Sequence, residues 1–310
     1  MYFLGCPMWA NQSWQGSLYH ANKTNSVVPV KNTANTFLSQ YSSYFNTVEG
    51  NTTFYADPTP ETVARWLAQV SHQQSDAATA PLHAYPFQFA FKVPQRISHQ
   101  GAGIQALADW LTLIAPLQHH IGYIHFQLSA QFTPAQLTTI APLLQMIRAK
   151  FACAVEIRHP AFFDKAQHEQ ALHQLLRGEG CERVCFDSRA LFSVPATTAS
   201  LQDAQRKKPR LPVHAVALTT KPMFRFIGLD CLASNRHFYQ PWLTKMLAWC
   251  QQGATPYAFF HTPDNRLAPL LAKQFATDLH ALGGPWHPIL QDWPTTESHS
   301  NPQFSLFSTD

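Results

Sequence analysis

The chain has 310 residues, of which 45% are hydrophobic and only 13% charged, and its formal net charge is +4. That length and apolar content suit a large buried core in one or two domains, and so small a charge excludes the global basic field of a histone-like protein, so any anion site must be local. The six cysteines, Cys6, Cys153, Cys181, Cys185, Cys231 and Cys250, are scattered without a CxxC pair, which excludes a compact secreted disulfide framework and predicts reduced, mostly buried thiols.

The chain begins with a strand pattern, Tyr2 to Gly5, without a basic leader region, and no apolar stretch approaches the roughly eighteen residues of a membrane span; the expectation is a soluble cytoplasmic protein with no membrane partner. Helical periodicity follows over Ala34 to Tyr44, then a strand over Thr47 to Asn51 and a helix over Pro60 to Val70. Ser71 to Pro86 reads as a surface insertion. The pattern resumes with strand Phe89 to Val93, helix Ile104 to Leu117, strand Gly122 to Leu128, helix Pro134 to Ala149, strand Ala154 to Arg158, helix Gln167 to Arg177 and strand Arg183 to Asp187. Leu191 to Val213 is irregular and holds the densest basic run, Arg206-Lys207-Lys208-Pro209-Arg210. The last units are strand Phe224 to Gly228, helix Tyr239 to Gln251, strand Tyr257 to His261 and helix Ala268 to Leu282. Eight strands alternating with helices predict a single parallel (β/α)8 barrel of the TIM type over residues 1–290. After Gly283-Gly284-Pro285 periodicity is lost, and 291–310 reads as a flexible tail with a polar spacer at Thr295 to Pro302.

Three apolar runs end in an acid followed two residues later by a polar partner: Glu49 and Asn51, Glu156 and Arg158, Asp187 and Arg189. A period of two puts both members of each pair on one strand face, predicted to be the inside of a site. Other runs end in Lys92, Gln127, Arg225 and His261, and in a parallel barrel all such ends share one mouth. Glu49 and Glu156, with Asp187 as a third acid, are therefore candidates for general acid and base. The competing reading is that Glu156 with Arg158, and Asp187 with Arg189, are ion pairs that satisfy each other. Lys92, Arg158 and Arg225 would hold an anion, most simply phosphate.

The ligand-contacting set is completed by Asn51, Gln127, His159, Arg189, His261 and Asp264, together with Trp9 and Tyr55. These two aromatics, like Trp14 and Phe54, either stack on a sugar or base or simply close a barrel end. A divalent metal held by Glu49, Glu156, His159, Asp187, His261 and Asp264 is the lesser expectation, because no pair has diagnostic ligand spacing, and the cofactor is left open. Arg206, Lys207, Lys208 and Arg210 are candidates for nucleic-acid phosphates, or else a solvated charge run. The absence of a P-loop, a dinucleotide fingerprint and a GxSxG elbow removes the usual sequence support for nucleotide hydrolysis, hydride transfer and esterase chemistry.

Several segments, in order, resemble the YecE-like family, a bacterial domain of unknown function: Phe45-Asn46-Thr47-Val48-Glu49-Gly50-Asn51-Thr52-Thr53-Phe54-Tyr55, Phe91-Lys92-Val93-Pro94 with Ile97-Ser98-His99, Val155-Glu156-Ile157-Arg158-His159-Pro160, Asp203 to Pro209, Arg225-Phe226-Ile227-Gly228 and His261-Thr262-Pro263-Asp264. The resemblance implies a TIM-type barrel and no established activity. Cys6-Pro7-Met8-Trp9 stands where a Thr-Ser-Gly-Trp turn is common, and His261-Thr262-Pro263-Asp264 where an Asn-Asn segment is common; both fit the YecE-type branch. The tail segment Gln303-Phe304-Ser305-Leu306-Phe307 resembles the Gln-x-Ser-Leu-Phe peptide that docks bacterial DNA polymerases and repair proteins on the DNA sliding clamp. Leu306 and Phe307 suit an apolar pocket and Gln303 its rim, with Phe304 and Ser305 between; the alternative is a segment folded back on the barrel. The resulting expectation is a barrel that binds a phosphate-bearing or nucleic-acid ligand, is recruited to DNA by its tail and works on a phosphodiester or a sugar, as a hydrolase of the phosphodiesterase or glycosidase type. Its rivals are a non-catalytic clamp-associated adaptor and a sugar isomerase or hydrolase unrelated to DNA.

Overall fold

The computed structural model describes residues 1–20, 36–71 and 87–294. Eight strands, β1 (Phe3–Gly5), β2 (Thr47–Gly50), β3 (Gln88–Lys92), β4 (Ile121–Gln127), β5 (Cys153–Glu156), β6 (Glu182–Asp187), β7 (Met223–Ile227) and β8 (Tyr257–His261), lie within a residue or two of the sequence expectation. All ladders are parallel and the order is β1-β8-β7-β6-β5-β4-β3-β2, a barrel open only between β1 and β2. The surrounding helices are α1 (Phe37–Ser42), α2 (Thr52–Tyr55), α3 (Pro60–Ser71), α4 (Gln95–Ser98), α5 (Gly103–Ile114), α6 (Ala141–Arg148), α7 (Gln167–Gly178), α8 (Ala199–Lys207), α9 (Leu232–Gln251) and α10 (Ala268–Ala281). None is long and apolar enough to cross a membrane.

Side chains close the remaining seam. Asn46 Nδ2 donates to Tyr2 O and its Oδ1 accepts from Leu4 N, each at 2.9 Å. Tyr41 Oη accepts from Cys6 N at 2.7 Å and donates to Thr47 O at 3.0 Å, and Glu49 N donates to Cys6 O at 3.0 Å. The backbones approach so closely that a Cβ on Gly5 would lie 2.2 Å from Thr47 O, which leaves no other residue a place there. Buried polar backbone groups that would be an exposed edge are thus satisfied.

Alternation fills the barrel in layers. Phe3, Ala90, Tyr123, Ala154, Val184, Met223, Tyr257 and Phe259 pack together as an apolar floor. Their neighbours of opposite parity, such as Val48, Phe91, Phe126, Val155, Phe224 and Phe260, face outward into the helix-covered core. Two residues beyond the floor, at the carboxyl ends, the inward positions become polar, and a charged layer lies under the mouth.

Leu191 to Val213, expected to be irregular, contains α8. Its start is capped by Thr198, whose Oγ1 accepts from Leu201 N at 3.2 Å. Ala204 and Leu201, three residues apart on one helix face, pack on Phe186 and Ile227 at the tops of β6 and β7, so α8 lies over part of the mouth. Gln205 Nε2 holds the preceding turn by donating to Leu191 O and Val194 O at 2.9 Å. The last helix before β8 also begins earlier than expected, at Leu232, and runs through Pro241. Of the surface insertion, Ser71 ends α3 and residues 72–86 lie outside the described residues, as do residues 295–310 of the tail, including Gln303 to Phe307.

Candidate functional site

The charged layer is built around Arg225 on β7, which is 1% exposed. Its guanidinium bridges the two glutamates: Nη1 donates to Glu156 Oε2 at 2.6 Å, Nη2 to Glu49 Oε2 at 3.2 Å, and Nε pairs with Glu49 Oε1. The ring of Phe186, its neighbour on β6, lies 5.3 Å from Cζ, a contact that favours the cation. Glu156 Oε1 accepts from Arg158 Nε at 2.8 Å, and Arg158 Nη2 donates to Gln127 Oε1 at 2.7 Å. His125 Nε2 is 3.1 Å from Glu156 Oε2 and its Nδ1 is 3.7 Å from Glu49 Oε1, while His261 Nε2 is 2.8 Å from Glu49 Oε2.

Burial raises both carboxyl pKa values, but Arg225, joined at Glu156 by Arg158, outweighs it and holds both well below the usual carboxylate range. Two carboxylates fixed in the ionised form by shared guanidinium bonds hold no proton to donate near neutrality, as a general acid must. Here the ion-pair reading of Glu156 and Arg158 describes the geometry better than the acid–base one. His125 and His261 are shifted down by burial, His261 to about 3, against the pull of the neighbouring glutamates; both are neutral hydrogen-bonding groups at pH 7.

Two amines share this layer without a carboxylate partner. Lys92 on β3 is 6% exposed; its Nζ makes one long hydrogen bond, 3.4 Å to Asn51 Oδ1, and sits 4.8 Å from the centre of the Phe54 ring. Thr53 Oγ1 donates to Lys92 O at 2.6 Å, fixing the strand end. Burial first and then Arg225 push Lys92 down to about 7, despite Glu156 and Glu49. The second amine is Lys208, half-buried at the end of α8. Burial and Arg225 bring it to about 8, and the ammonium also feels Glu49, Arg158 and Glu156. Among the described residues no carboxylate lies within ion-pair distance, 4.0 Å, of either amine. His99 flanks the layer: Gln127 Nε2 is 3.5 Å from its Nε2, Ser98 Oγ is 2.8 Å from its Nδ1, and burial with Arg158 and Lys92 lowers it to about 4.

Glu49, Asn51, Lys92, Gln127, Glu156, Arg158, Arg225 and His261 are therefore brought together, and four other expected members are not. Asp187 points outward from β6, because Phe186 takes the inward position; its carboxylate accepts from Arg189 Nη2 at 2.7 Å and from Trp242 Nε1 of α9 at 2.8 Å. Arg189 goes with it, exposed and also donating to Phe238 O at 3.0 Å. His159 Nδ1 accepts from Ala161 N at 3.2 Å and caps the following turn. Asp264 is exposed, and its Oδ1 accepts from Arg266 N at 2.9 Å. The basic run also divides: Arg206 and Lys207 both pair with Asp203 on the solvent face of α8, Arg210 lies 5.8 Å from the Phe192 ring, and only Lys208 reaches the mouth. The ligand set proposed for a metal is thereby broken up, with the Arg225 guanidinium between Glu49 and Glu156; among the described residues no group of three His, Cys, Asp or Glu is placed to hold an ion.

The aromatics divide as well. Trp14 is fully buried and donates from Nε1 to Asn265 O at 3.0 Å. Trp9 and the 80% exposed Tyr55 line a cleft of about 430 Å³ with Met8, Trp66 and Arg65, and this cleft reaches Glu49 and Asn51 at the edge of the layer. His125, His99 and the mouth position of Lys208 escaped sequence reasoning. Counting back by two from Gln127 would have placed His125 inside.

A parallel eight-stranded barrel with a buried ionic layer under its carboxyl-end mouth defines the class: a TIM-type α/β barrel. The chain belongs to the DUF72 family, described as "Protein of unknown function DUF72", whose model matches residues 3–295. It is 38% identical over 282 residues to "UPF0759 protein YecE" of Escherichia coli strain K12, covering 90% of this chain and 93% of that protein, and equally to that of Escherichia coli O157:H7. Two crystal structures of a DUF72 family protein from Enterococcus faecalis V583 superpose with TM-scores of 0.64 and 0.63 at 16% and 17% identity, covering 90% of this chain and 96% and 98% of those. That likeness shows the shared fold.

Proposed function

We propose that the mouth binds a small phosphate-bearing ligand and that the chain is an enzyme acting on it. The observation that carries the reading is the charge balance of the layer: Arg225 and Arg158 match Glu49 and Glu156, and among the described residues the amines of Lys92 and Lys208 have no carboxylate within ion-pair distance, although both feel those glutamates. A dianion offered to this layer restores the missing partner, with Arg158 and Lys208 on the open side. Lys92, titrating near neutrality beside them, is the group best suited to move a proton to or from the ligand. Glu49 and Glu156 hold Arg225 and the histidines in place.

The test is calorimetric titration of the full chain with inorganic phosphate. Lys208→Met is expected to weaken binding at least about tenfold, as loss of one charge-assisted contact worth ~1.5 kcal/mol requires. Arg206→Ala with Lys207→Ala is expected to leave it unchanged. Equal loss in both variants would return the whole basic run to a diffuse nucleic-acid surface, and no binding by the wild type would end the reading.

A second reading rests on the tail sequence Gln303-Phe304-Ser305-Leu306-Phe307: docking on a bacterial DNA sliding clamp, which would bring the barrel's phosphate chemistry to nucleic acid. A peptide spanning Ser300 to Asp310 is expected to bind the clamp with micromolar affinity and to lose binding when Leu306 and Phe307 become Ala. Equal binding by the substituted peptide, or none by either, removes the clamp.

A further inference from the structure

We propose that Lys92 is a covalent nucleophile, whose amine condenses with the carbonyl carbon of a small phosphorylated aldehyde or ketone seated in the mouth to form a Schiff base. The inference rests on the proposed anion site and names its substrate class.

The geometry supplies what such an amine needs. Lys92 ends β3 facing the barrel axis in the same layer as Arg225, and its backbone is held by Thr53. The two carboxylates that could protonate and pair with it are already bound by Arg225 and Arg158. What remains is one 3.4 Å bond to Asn51 and the face of Phe54. Buried lysines are almost always paired, and an amine desolvated beside another cation is the known arrangement for an amine nucleophile. Its depressed pKa, about 7, leaves much of it unprotonated at physiological pH. Arg158 and Lys208 offer the anionic group of the substrate its seat, separating the residues that bind from the one that reacts.

The step balances without a co-reactant. The Nζ lone pair forms the C–N bond, the carbonyl π pair moves to oxygen, and one Nζ proton passes to that oxygen, giving a carbinolamine. Its hydroxyl then leaves with the second Nζ proton as water, and the C=N bond remains.

The experiment is reductive trapping. The full chain is incubated with dihydroxyacetone phosphate and cyanoborohydride, then digested and mapped by mass spectrometry. The expected result is saturable modification confined to Lys92, suppressed by excess inorganic phosphate and absent from Lys92→Met. Lys208→Met, which keeps the nucleophile, should need about tenfold more ligand for half-labelling. Modification spread over surface lysines and unchanged in Lys92→Met overturns the proposal. Phosphate binding without labelling also overturns it while leaving the anion site intact. Labelling of Lys92 that is equal with unphosphorylated dihydroxyacetone and indifferent to phosphate defeats the anion site instead, and with it the substrate class.

Discussion

Lys92→Met should make the protein more stable, and more so in acid than in base. Methionine keeps most of the apolar stem and removes the buried amine. A lysine brought from 10.5 to about 7 costs the folded state up to ~5 kcal/mol when protonated, at about 1.4 kcal/mol per decade of the equilibrium. Because the folded value lies below the unfolded one, the cost is present in full below about pH 7, where both states carry the proton. Between pH 7 and 10.5 the unfolded chain holds a proton that the folded chain has released, so wild-type stability rises with pH and the cost is gone above 10.5. Relaxation of the site and loss of the Asn51 bond reduce the gain to an expected ~2–4 kcal/mol at pH 6, shrinking to near zero by pH 10. Urea denaturation of both proteins at pH 6, 8 and 10 gives the comparison directly. Lower stability of Lys92→Met at pH 6, or an advantage that grows with pH, would show that Lys92 is a paired structural cation and would refute the charge balance on which the site rests.

Glu156→Gln strands Arg225 and Arg158 in the buried layer and is expected to cost ~3–5 kcal/mol in urea denaturation. Since the Glu156 carboxyl is held well below the ordinary range, its contribution is present above the unfolded value near 4.3 and lost as pH falls through the folded one, so the variant and wild type should converge in strong acid. Asp187→Asn weakens the pairing to Arg189 beside the Trp242 bond and should cost ~1–3 kcal/mol while leaving phosphate affinity unchanged by calorimetry. Phosphate binding at pH 8 should draw protons onto Lys92 and Lys208, seen as a binding enthalpy that depends on the buffer's ionisation heat; an enthalpy that does not vary with buffer would contradict it.

The strand ends were legible because each inward polar residue closes a short apolar run, and the barrel then gathers those ends whatever the helices do. The phase of β6 was not. Arg183-Val184-Cys185-Phe186 has hydrophobic residues at both parities, as a strand buried on both faces does, so period two links Asp187 to Arg189 without saying which face they share. Phe186 decides it by taking the inward position beside Arg225. Lys208 was hidden in a different way. A run of like charges reads as one surface, but Lys208 leaves the helical track of Arg206 and Lys207 at an extended backbone, φ −99° and ψ 137°, and is carried to the mouth. No local pattern announces that turn, which depends on α8 packing over Phe186 and Ile227. Nor does sequence alone reveal that Arg225 serves both glutamates, since the three lie on β2, β5 and β7 and meet only when the sheet curls round.

The ionic layer also explains why the barrel needs α8. Salt bridges between buried groups gain little over their desolvation cost, so a layer of two carboxylates, two guanidiniums and two amines is a poor way to stabilise a fold and a good way to fix polar groups for chemistry. Its usefulness depends on excluding water, which would screen the charges and supply the amines with hydration in place of a ligand. Apolar contacts from Leu201 and Ala204 to Phe186 and Ile227 provide that cover on one side, and Ser188 Oγ, donating to Pro209 O at 2.8 Å, ties down the segment just after Lys208. The element that shields the layer therefore also delivers Lys208, one of two amines without a carboxylate within ion-pair distance among the described residues, so the position of α8 sets both the dielectric around Lys92 and, on the proposed function, the number of charges offered to a ligand.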